Sequence, residues 1–320
     1  MVINFSERLS SSSAFLTEGA VVTRLVHEFG LPTPESAAFA HLYSDAGRAA
    51  LSAIYRSYLA IAVEFGLPMQ VGGPTWRSHP EALARLGFSA PGDVERVNSD
   101  AVEFLRQIRR EMGAEDLAYI GGVIGPRVDG YDPHGAPDAV TSEAYHRPQI
   151  EALAKAGADL LYAGTFAAVP ELLGVSRACA ATTLPFILAP VIDGAGRLPD
   201  GTSLRDAVSQ IDTGTDAPVH YAVCCVHPTH FARAMKTDAW PAPGRILGLQ
   251  ANASDLHRDE LEHLDHADGS APDVFGGLMA DLRSRGVRLL GGCCGTREAH
   301  IRAVADQITM RQPKDVFTAS

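Results

Sequence analysis

Residues 288–296 read Arg-Leu-Leu-Gly-Gly-Cys-Cys-Gly-Thr, so a short apolar run ends in two adjacent cysteines, Cys293 and Cys294, set between glycines. A second cysteine pair, Cys224 and Cys225, ends an earlier apolar run that begins at His220. Short apolar runs of this kind predict buried β-strands, and glycine allows the chain to turn sharply where a strand stops. Both cysteine pairs are therefore expected at the carboxyl ends of strands.

Six further apolar runs interleave with stretches of helical periodicity, which is typical of repeated strand-helix units. The eight predicted strands are 15–22, 69–73, 118–125, 159–165, 185–192, 220–225, 245–252 and 288–293. The predicted helices are 43–65, 99–112, 145–156, 169–180, 229–235, 274–285 and 297–310. Eight such units predict an α/β fold that is a single closed (β/α)8 TIM barrel. An open doubly wound sheet is the alternative, but the glycine-rich segment 121–125 lacks the spacing of its phosphate-binding loop.

We expect residues 1–320 to form one barrel domain, with 312–320 as a flexible C-terminal tail. Elaborated loops are predicted at the C-terminal face of the strands, where barrel active sites lie, and 126–139 and 193–202 are the two candidates. Segment 253–272 is rich in Asp, His and Glu and is predicted to be a solvated surface insertion.

The sixth and eighth strands are next-but-one neighbours in a barrel, so their cysteines are predicted to meet at one mouth. Three thiolates gathered around one point need a cation, and zinc accepts sulfur ligands in a tetrahedron. Adjacent residues of a strand face opposite sides, so Cys293 and Cys294 can share an ion only where the backbone leaves the extended conformation. Three protein ligands leave the fourth position open, which is typical of a catalytic zinc.

Other assignments of these residues remain open at this point. Alternation along the sixth strand predicts that one of Cys224 and Cys225 reaches the site while the other is buried, and Cys179 is expected in the core. His227 could supply a fourth ligand and close the site as a structural Cys3His zinc, whereas His230 is expected in a loop. A water in the open position would favour zinc-assisted hydrolysis, although an all-thiolate shell argues against it.

The segment Gly291–Thr296, with Glu298-Ala299-His300-Ile301 after it, resembles the zinc motif of the homocysteine S-methyltransferase family. Weaker similarities extend over most of the chain, at 16–25, 125–126, 147–150, 157–159 and Asn252. The resemblance implies a (β/α)8 barrel and identifies Cys225, Cys293 and Cys294 as zinc ligands. Cys224 is then left to packing.

The family resemblance also implies a reaction. Zinc would bind the acceptor thiol, most simply homocysteine, and the resulting thiolate would take a methyl group from an onium donor such as S-methylmethionine, S-adenosylmethionine or a betaine. Glu18, Gly19 and Asn252 are the implied substrate-binding residues. Onium groups are held over aromatic faces, and Trp76 is the favoured candidate, with Tyr119, Tyr131 and Phe166 as further ones.

One departure from the family pattern concerns the acceptor. The family has a Glu at the end of the fourth strand that holds the homocysteine amino group, and here Gly164 stands at that position. Losing one counter-charge for an ammonium costs affinity unless another group replaces it. A different thiol or selenol acceptor is therefore the alternative, beside a non-catalytic structural zinc barrel.

Composition and charge limit the partners and the compartment. The 320 residues are 46% hydrophobic and carry a net charge of −11, which disfavours nucleic acid and anionic membranes as partners. Small molecules are the expected partners, and a homo-oligomer is possible. No signal-like segment or long apolar span is apparent, so a cytoplasmic location is expected, where five cysteines serve as free thiols or metal ligands.

Overall fold

Eight parallel strands close into a barrel in a computed structural model that describes residues 3–214, 217–256 and 268–310. The strands pair in chain order, and β8 pairs with β1, so the predicted (β/α)8 barrel is confirmed. The strands are β1 (Phe15–Thr17), β2 (Met69–Gly72), β3 (Ala118–Ile124), β4 (Leu160–Phe166), β5 (Phe186–Pro190), β6 (His220–Val226), β7 (Ile246–Ala251) and β8 (Leu289–Gly292).

Most helices lie between the strands and pack their apolar faces against the outside of the barrel, whereas the first precedes β1 and the last follows β8. In the described residues they are α1 (Phe5–Ser11), α2 (Val22–His27), α3 (Asp45–Phe65), α4 (Pro80–Arg85), α5 (Asp93–Glu111), α6 (Ala139–Lys155), α7 (Val169–Ala180), α8 (Leu204–Asp212), α9 (Pro228–Ala234), α10 (Pro272–Ser284) and α11 (Glu298–Met310). Two short 3₁₀ helices, Pro34–Ser36 and Ala38–Tyr43, precede α3.

Several predicted boundaries were wrong because helix-start signals were missed. Helix α5 begins at Asp93, after Gly92, and α6 begins at Ala139, where the Asp138 side chain accepts from the Thr141 amide. Both helices therefore start six residues before the predicted position, and α8 was not predicted. The first strand is shorter than predicted, since the chain leaves β1 after Thr17 and α2 begins at Val22.

The amino-terminal end of the barrel is closed by aromatic packing. The rings of Phe5 and Phe15 lie 5.5 Å apart, and that of Tyr119 lies 5.7 and 5.6 Å from them. We call these three residues the barrel floor. Tyr119 was proposed as an onium-binding ring, and this was wrong, because the second residue of β3 lies at the end of the barrel opposite the cysteines.

Parts of two predictions fall on residues that the structure does not describe. The predicted tail, 312–320, lies outside the described residues, and so does 257–267 within the predicted insertion 253–272. Among the described helices, none combines the length and the apolar composition that a bilayer-spanning segment needs.

Candidate metal centre

Three cysteine sulfurs meet at the carboxyl-terminal end of the barrel, which we call the barrel mouth. The sulfurs of Cys225, Cys293 and Cys294 all lie within 4.8 Å of one another. The Cys225 and Cys293 sulfurs are 3.0 Å apart, and those of Cys293 and Cys294 are 4.0 Å apart. The predicted convergence of the two cysteine pairs is confirmed.

A tight turn after β8 brings the adjacent Cys293 and Cys294 to the same side. The strand ends at Gly292, and the turn is held by the Thr296 amide, which donates to the Cys293 carbonyl at 3.2 Å. Thr296 also donates from its hydroxyl to that carbonyl at 2.7 Å and is packed so closely on Gly292 that no side chain fits there. The backbone thus leaves the extended conformation at the place where a shared ion requires it.

Cys225 reaches the site through an unusual backbone conformation. Its φ is +58°, in the left-handed region that L-residues rarely adopt, and the pairing of β6 with β7 shifts register between Cys224 and Val226. The Asn252 amide group donates to the Cys225 carbonyl at 3.1 Å and so supports this conformation. Strained residues of this kind cluster at functional sites.

Cys224 lies in the barrel interior, where it is only 2% exposed. Its thiol donates to the Ala189 carbonyl at 3.1 Å, and its sulfur accepts from the Thr165 amide at 2.9 Å. Both contacts fit a packing role and leave Cys225 as the sixth-strand member of the cluster.

Thr165, near the end of β4, was missed at the sequence level. Its φ is +68°, and the pairing of β4 with β5 shifts register between Gly164 and Phe166. The Thr165 hydroxyl lies 3.4 Å from the Cys225 sulfur, within hydrogen-bonding distance of a thiol or thiolate. A hydroxyl at the end of a predicted barrel strand was the available signal, since such positions face the mouth.

The loop after β3 brings Tyr131 to the cysteines. Its hydroxyl is hydrogen-bonded to Cys225, and burial, followed by the charges of Cys225, Cys294 and Cys293, raises the pKa of Tyr131. The loop is anchored by Arg127, whose amide donates to Glu171 at 2.8 Å and whose guanidinium pairs with Glu81 at 2.7 Å. Tyr131 was predicted as an onium-binding ring, whereas the structure shows a contact to a sulfur.

Hydrogen bonds couple the titration of the sulfurs. Hydrogen bonding with Cys224, Cys293 and Cys294 holds the pKa of Cys225 well below its usual range. The hydrogen bond to Cys225 is also the largest cause that raises the pKa of Cys293, and that of Cys294 to about 12. Deprotonation is therefore easiest at Cys225, and a bound cation would favour the thiolate form of the other two.

The cluster fits a tetrahedral thiolate site. Zinc with sulfur bonds of about 2.3 Å places its ligands roughly 3.8 Å apart, which lies between the 3.0 and 4.0 Å separations found here. The group of ligand atoms contains no histidine among the described residues. The two ring nitrogens of His227 contact the hydroxyls of Thr229 at 2.8 Å and Ser270 at 3.2 Å, which leaves the Cys3His alternative without support.

Glu18 and Gly19 lie directly after β1 at the same mouth. The Glu18 carboxyl is buried, and its Oε1 accepts from Gln250 at 3.4 Å, whereas Oε2 has no partner among the described residues. Burial raises the pKa of Glu18 to about 7. Gly19 packs against Tyr58 and Thr296 so closely that a Cβ would lie 2.7 Å from the Tyr58 hydroxyl. Thr296 thereby joins the first strand end to the cysteine motif.

Trp76 lies near the end of β4, although it follows β2 in the chain. Its indole Nε1 donates to the Gly164 carbonyl at 2.9 Å. The guanidinium of Arg77 lies 4.2 Å from the ring centroid and covers one face. The face that Arg77 covers is thus not free for a second cation. Phe166, the other predicted ring, is fully buried and packs edge-on against His146 at 5.9 Å.

Fold and site together define a (β/α)8 barrel with a cluster of three cysteines, suited to hold a metal ion, at the ends of β6 and β8. The family model described as homocysteine S-methyltransferase matches residues 15–308. The chain belongs to the homocysteine S-methyltransferase family, and the protein is an S-methyltransferase.

Individual relatives agree with this family assignment. The homocysteine S-methyltransferase of Escherichia coli (strain K12) is 28% identical over 244 residues, covering 68% of this chain and 74% of that protein. The homocysteine S-methyltransferase YbgG of Bacillus subtilis (strain 168) is 24% identical over 163 residues, which is 50% of each protein. The metallated crystal form of the homocysteine methyltransferase MmuM from Escherichia coli shares the fold with a TM-score of 0.75 at 20% identity, covering 93% of this chain and 98% of that one.

Proposed function

We propose that this protein transfers a methyl group from an onium donor to the thiol of homocysteine, with zinc held by Cys225, Cys293 and Cys294. The observation that carries the proposal is the cluster of three sulfurs within 4.8 Å, with no fourth ligand among the described residues. The relatives named above are homocysteine methyltransferases, and a metallated form is known for one of them. A zinc site with three protein ligands keeps one position for a substrate.

The chain's own groups prepare the site for a sulfur nucleophile. Zinc, when bound, offers its open position to the acceptor and lowers the pKa of that thiol. The hydroxyls of Thr165 and Tyr131 both contact the Cys225 sulfur, so they hold this ligand in place and offset part of its charge. Such outer contacts orient metal ligands and tune their basicity.

The transfer itself conserves charge and electrons. A lone pair of the acceptor thiolate forms the new carbon–sulfur bond, and the bond between the methyl carbon and the onium sulfur or nitrogen breaks. The electron pair of that bond stays on the former onium atom, which becomes neutral, and the thiol proton has already left to solvent. A positive donor is needed because a neutral thioether is a poor methyl donor: it would have to release a thiolate anion, whereas an onium donor releases a neutral molecule. Trp76 is our candidate for holding the positive donor.

We assign the remaining substrate contacts to Glu18, Gly19 and Asn252. The unpartnered Oε2 of Glu18 is an acceptor for the amino group of homocysteine. Asn252 also has a buried Oδ1 without a partner among the described residues, while its amide nitrogen supports Cys225. Gly19 permits the close approach of Tyr58 and Thr296 behind the site. The cytoplasm remains our proposed compartment, since free thiols persist in reducing surroundings.

A methyl-transfer assay with zinc-loaded protein tests this function. Homocysteine is offered with S-methylmethionine, S-adenosylmethionine or glycine betaine, and methionine is measured together with bound zinc. We expect about one zinc per chain and methionine from at least one donor. Cys293→Ser should lose both zinc and activity, whereas the matched Cys179→Ser, on the buried face of α7, should keep both. Zinc-loaded protein that methylates no thiol with any donor would contradict the proposal.

A further inference from the structure

Tyr162 places a buried phenol in the barrel interior, on β4. The residue is 5% exposed, and its hydroxyl has no hydrogen-bond partner among the described residues. Buried hydroxyls are almost always hydrogen-bonded, because an unmet one gives up its contacts with water and gains nothing in return. This hydroxyl is therefore available to a ligand.

The surroundings of Tyr162 are those of the metal centre. It packs in one interior cluster with Cys224 and Cys225, and Cys293 lies against the same cluster. Burial is the main cause that raises the pKa of Tyr162, and the carboxyl group of Glu18 adds to it. A carboxylate that acts on the phenol favours a positively charged ligand group there over a second carboxylate.

Gly164 makes room for the Tyr162 ring. Residues 162 and 164 of one strand point to the same face, and a Cβ at Gly164 would lie 2.8 Å from Cε1 and 3.3 Å from Cδ1 of the ring. The space that a side chain at 164 would occupy is therefore already filled by the phenol. The Tyr162 ring can take this position only because residue 164 is a glycine.

We infer that the Tyr162 hydroxyl, together with the Glu18 carboxylate, receives the ammonium group of an aminothiol acceptor, and that Tyr162 determines acceptor specificity. The inference rests on the proposed function, which places the acceptor sulfur at the three cysteines. Glu18 Oε2 and Tyr162 Oη are both buried, both without a partner among the described residues, and both able to accept a hydrogen bond. An ammonium has three N–H donors and satisfies two such oxygens at once.

The test compares two acceptors that differ only in the amino group, homocysteine and 4-mercaptobutyrate, on zinc-loaded full-length protein. Tyr162→Phe keeps the ring and removes only the hydroxyl. We expect the preference of kcat/KM for homocysteine over 4-mercaptobutyrate to fall by roughly tenfold or more, through KM, because a hydrogen bond to a charged group is lost. Zinc content and kcat should stay close to wild type.

Tyr221→Phe is the matched control, since this buried tyrosine of β6 binds Asp212 at 2.9 Å. It should keep the acceptor preference. A second variant, Gly164→Ala, displaces the Tyr162 ring and should lower the preference in the same direction. An unchanged preference in Tyr162→Phe would overturn the inference.

Direct binding separates this result from the fate of the proposed function. Calorimetric titration of zinc-loaded protein with homocysteine, without any methyl donor, should show weaker binding for Tyr162→Phe than for wild type by the same factor. If wild type binds homocysteine but transfers no methyl group, the proposed function fails while the role of Tyr162 is still measured. Equal homocysteine affinity in wild type and Tyr162→Phe would contradict the role of Tyr162 alone.

Discussion

The two ends of the barrel interior use tyrosine in opposite ways. At the floor, the Tyr119 hydroxyl donates to the Ile3 carbonyl at 3.0 Å and accepts from Arg8 at 3.3 Å. At the mouth, the Tyr162 hydroxyl is buried and has no partner among the described residues. Both rings belong to the same interior cluster. The difference indicates that the floor tyrosine stabilises the fold, while the mouth tyrosine is kept for a ligand at a cost in stability.

The largest expected effect comes from removing a sulfur at the mouth. Cys294→Ala leaves two thiolates, so we expect loss of bound zinc and a fall in methyl transfer of at least about a thousandfold, as for groups that act as a unit. Zinc content by plasma emission spectrometry and methionine formation measure the two effects. Cys179→Ala is the control. A Cys294→Ala protein with full zinc and activity would show that the mouth does not bind the metal through Cys294.

A substitution in the barrel floor is predicted to lower the stability of the fold without changing substrate binding. Phe15→Ala should lower the free energy of unfolding by about 3–5 kcal/mol, because a fully buried ring between Phe5 and Tyr119 is lost. Urea denaturation gives the change, with the exposed Val140→Ala on α6 as a control expected within about 0.5 kcal/mol of wild type. The KM for homocysteine should not change in the folded protein, and a large rise would contradict the comparison.

The buried carboxyl of Glu18 should make the free energy of unfolding depend on pH. Its pKa is raised from 4.5 to about 7 in the folded protein, so the folded state binds the proton more tightly than the unfolded state. The stabilisation that Glu18 contributes is fully present below its pKa in the unfolded state, and it is lost as the pH rises through its pKa in the folded state. Glu18→Gln should therefore gain up to about 3 kcal/mol relative to wild type between pH 4.5 and 8. Urea denaturation of both proteins across this range is the measurement, and a constant difference would refute the prediction.

The smallest expected effect comes from removing the hydroxyl of Tyr119 or of Tyr162, which compares the two tyrosines directly. Tyr119→Phe should lower the free energy of unfolding by about 1–2 kcal/mol, because two hydrogen bonds are lost. Tyr162→Phe should leave it unchanged or raise it by about 1 kcal/mol, because an unmet buried hydroxyl is removed. Urea denaturation of both variants under the same conditions measures the two free energies of unfolding. Equal decreases in Tyr119→Phe and Tyr162→Phe would show that the two hydroxyls contribute alike to stability.

Much of the fold and the sulfur cluster was predictable from local pattern. Eight apolar runs predicted the barrel, and the glycines around Cys293 and Cys294 marked a chain that could turn back on itself. The topology then brings β6 and β8 to one mouth, so the meeting of their cysteines follows from the barrel itself. The missed helix starts at Asp93 and Ala139 had readable signals in Gly92 and Asp138.

Other parts of the site depend on geometry that residue pattern does not carry. The left-handed conformations of Thr165 and Cys225 arise where neighbouring strands shift register, and β-branched Thr165 is not a residue expected there. Tyr131 reaches Cys225 from a loop that Arg127 anchors through long-range contacts. The role of Gly164 became clear only from the position of the Tyr162 ring, which residue spacing in the sequence does not predict.

X-ray absorption at the zinc edge, with and without homocysteine, distinguishes a three-sulfur site that binds the acceptor from a structural zinc site. We expect three sulfur ligands from Cys225, Cys293 and Cys294 in the free protein and a fourth sulfur, from the acceptor, when homocysteine is added. A shell that contains nitrogen throughout, or one that homocysteine does not alter, would contradict this expectation.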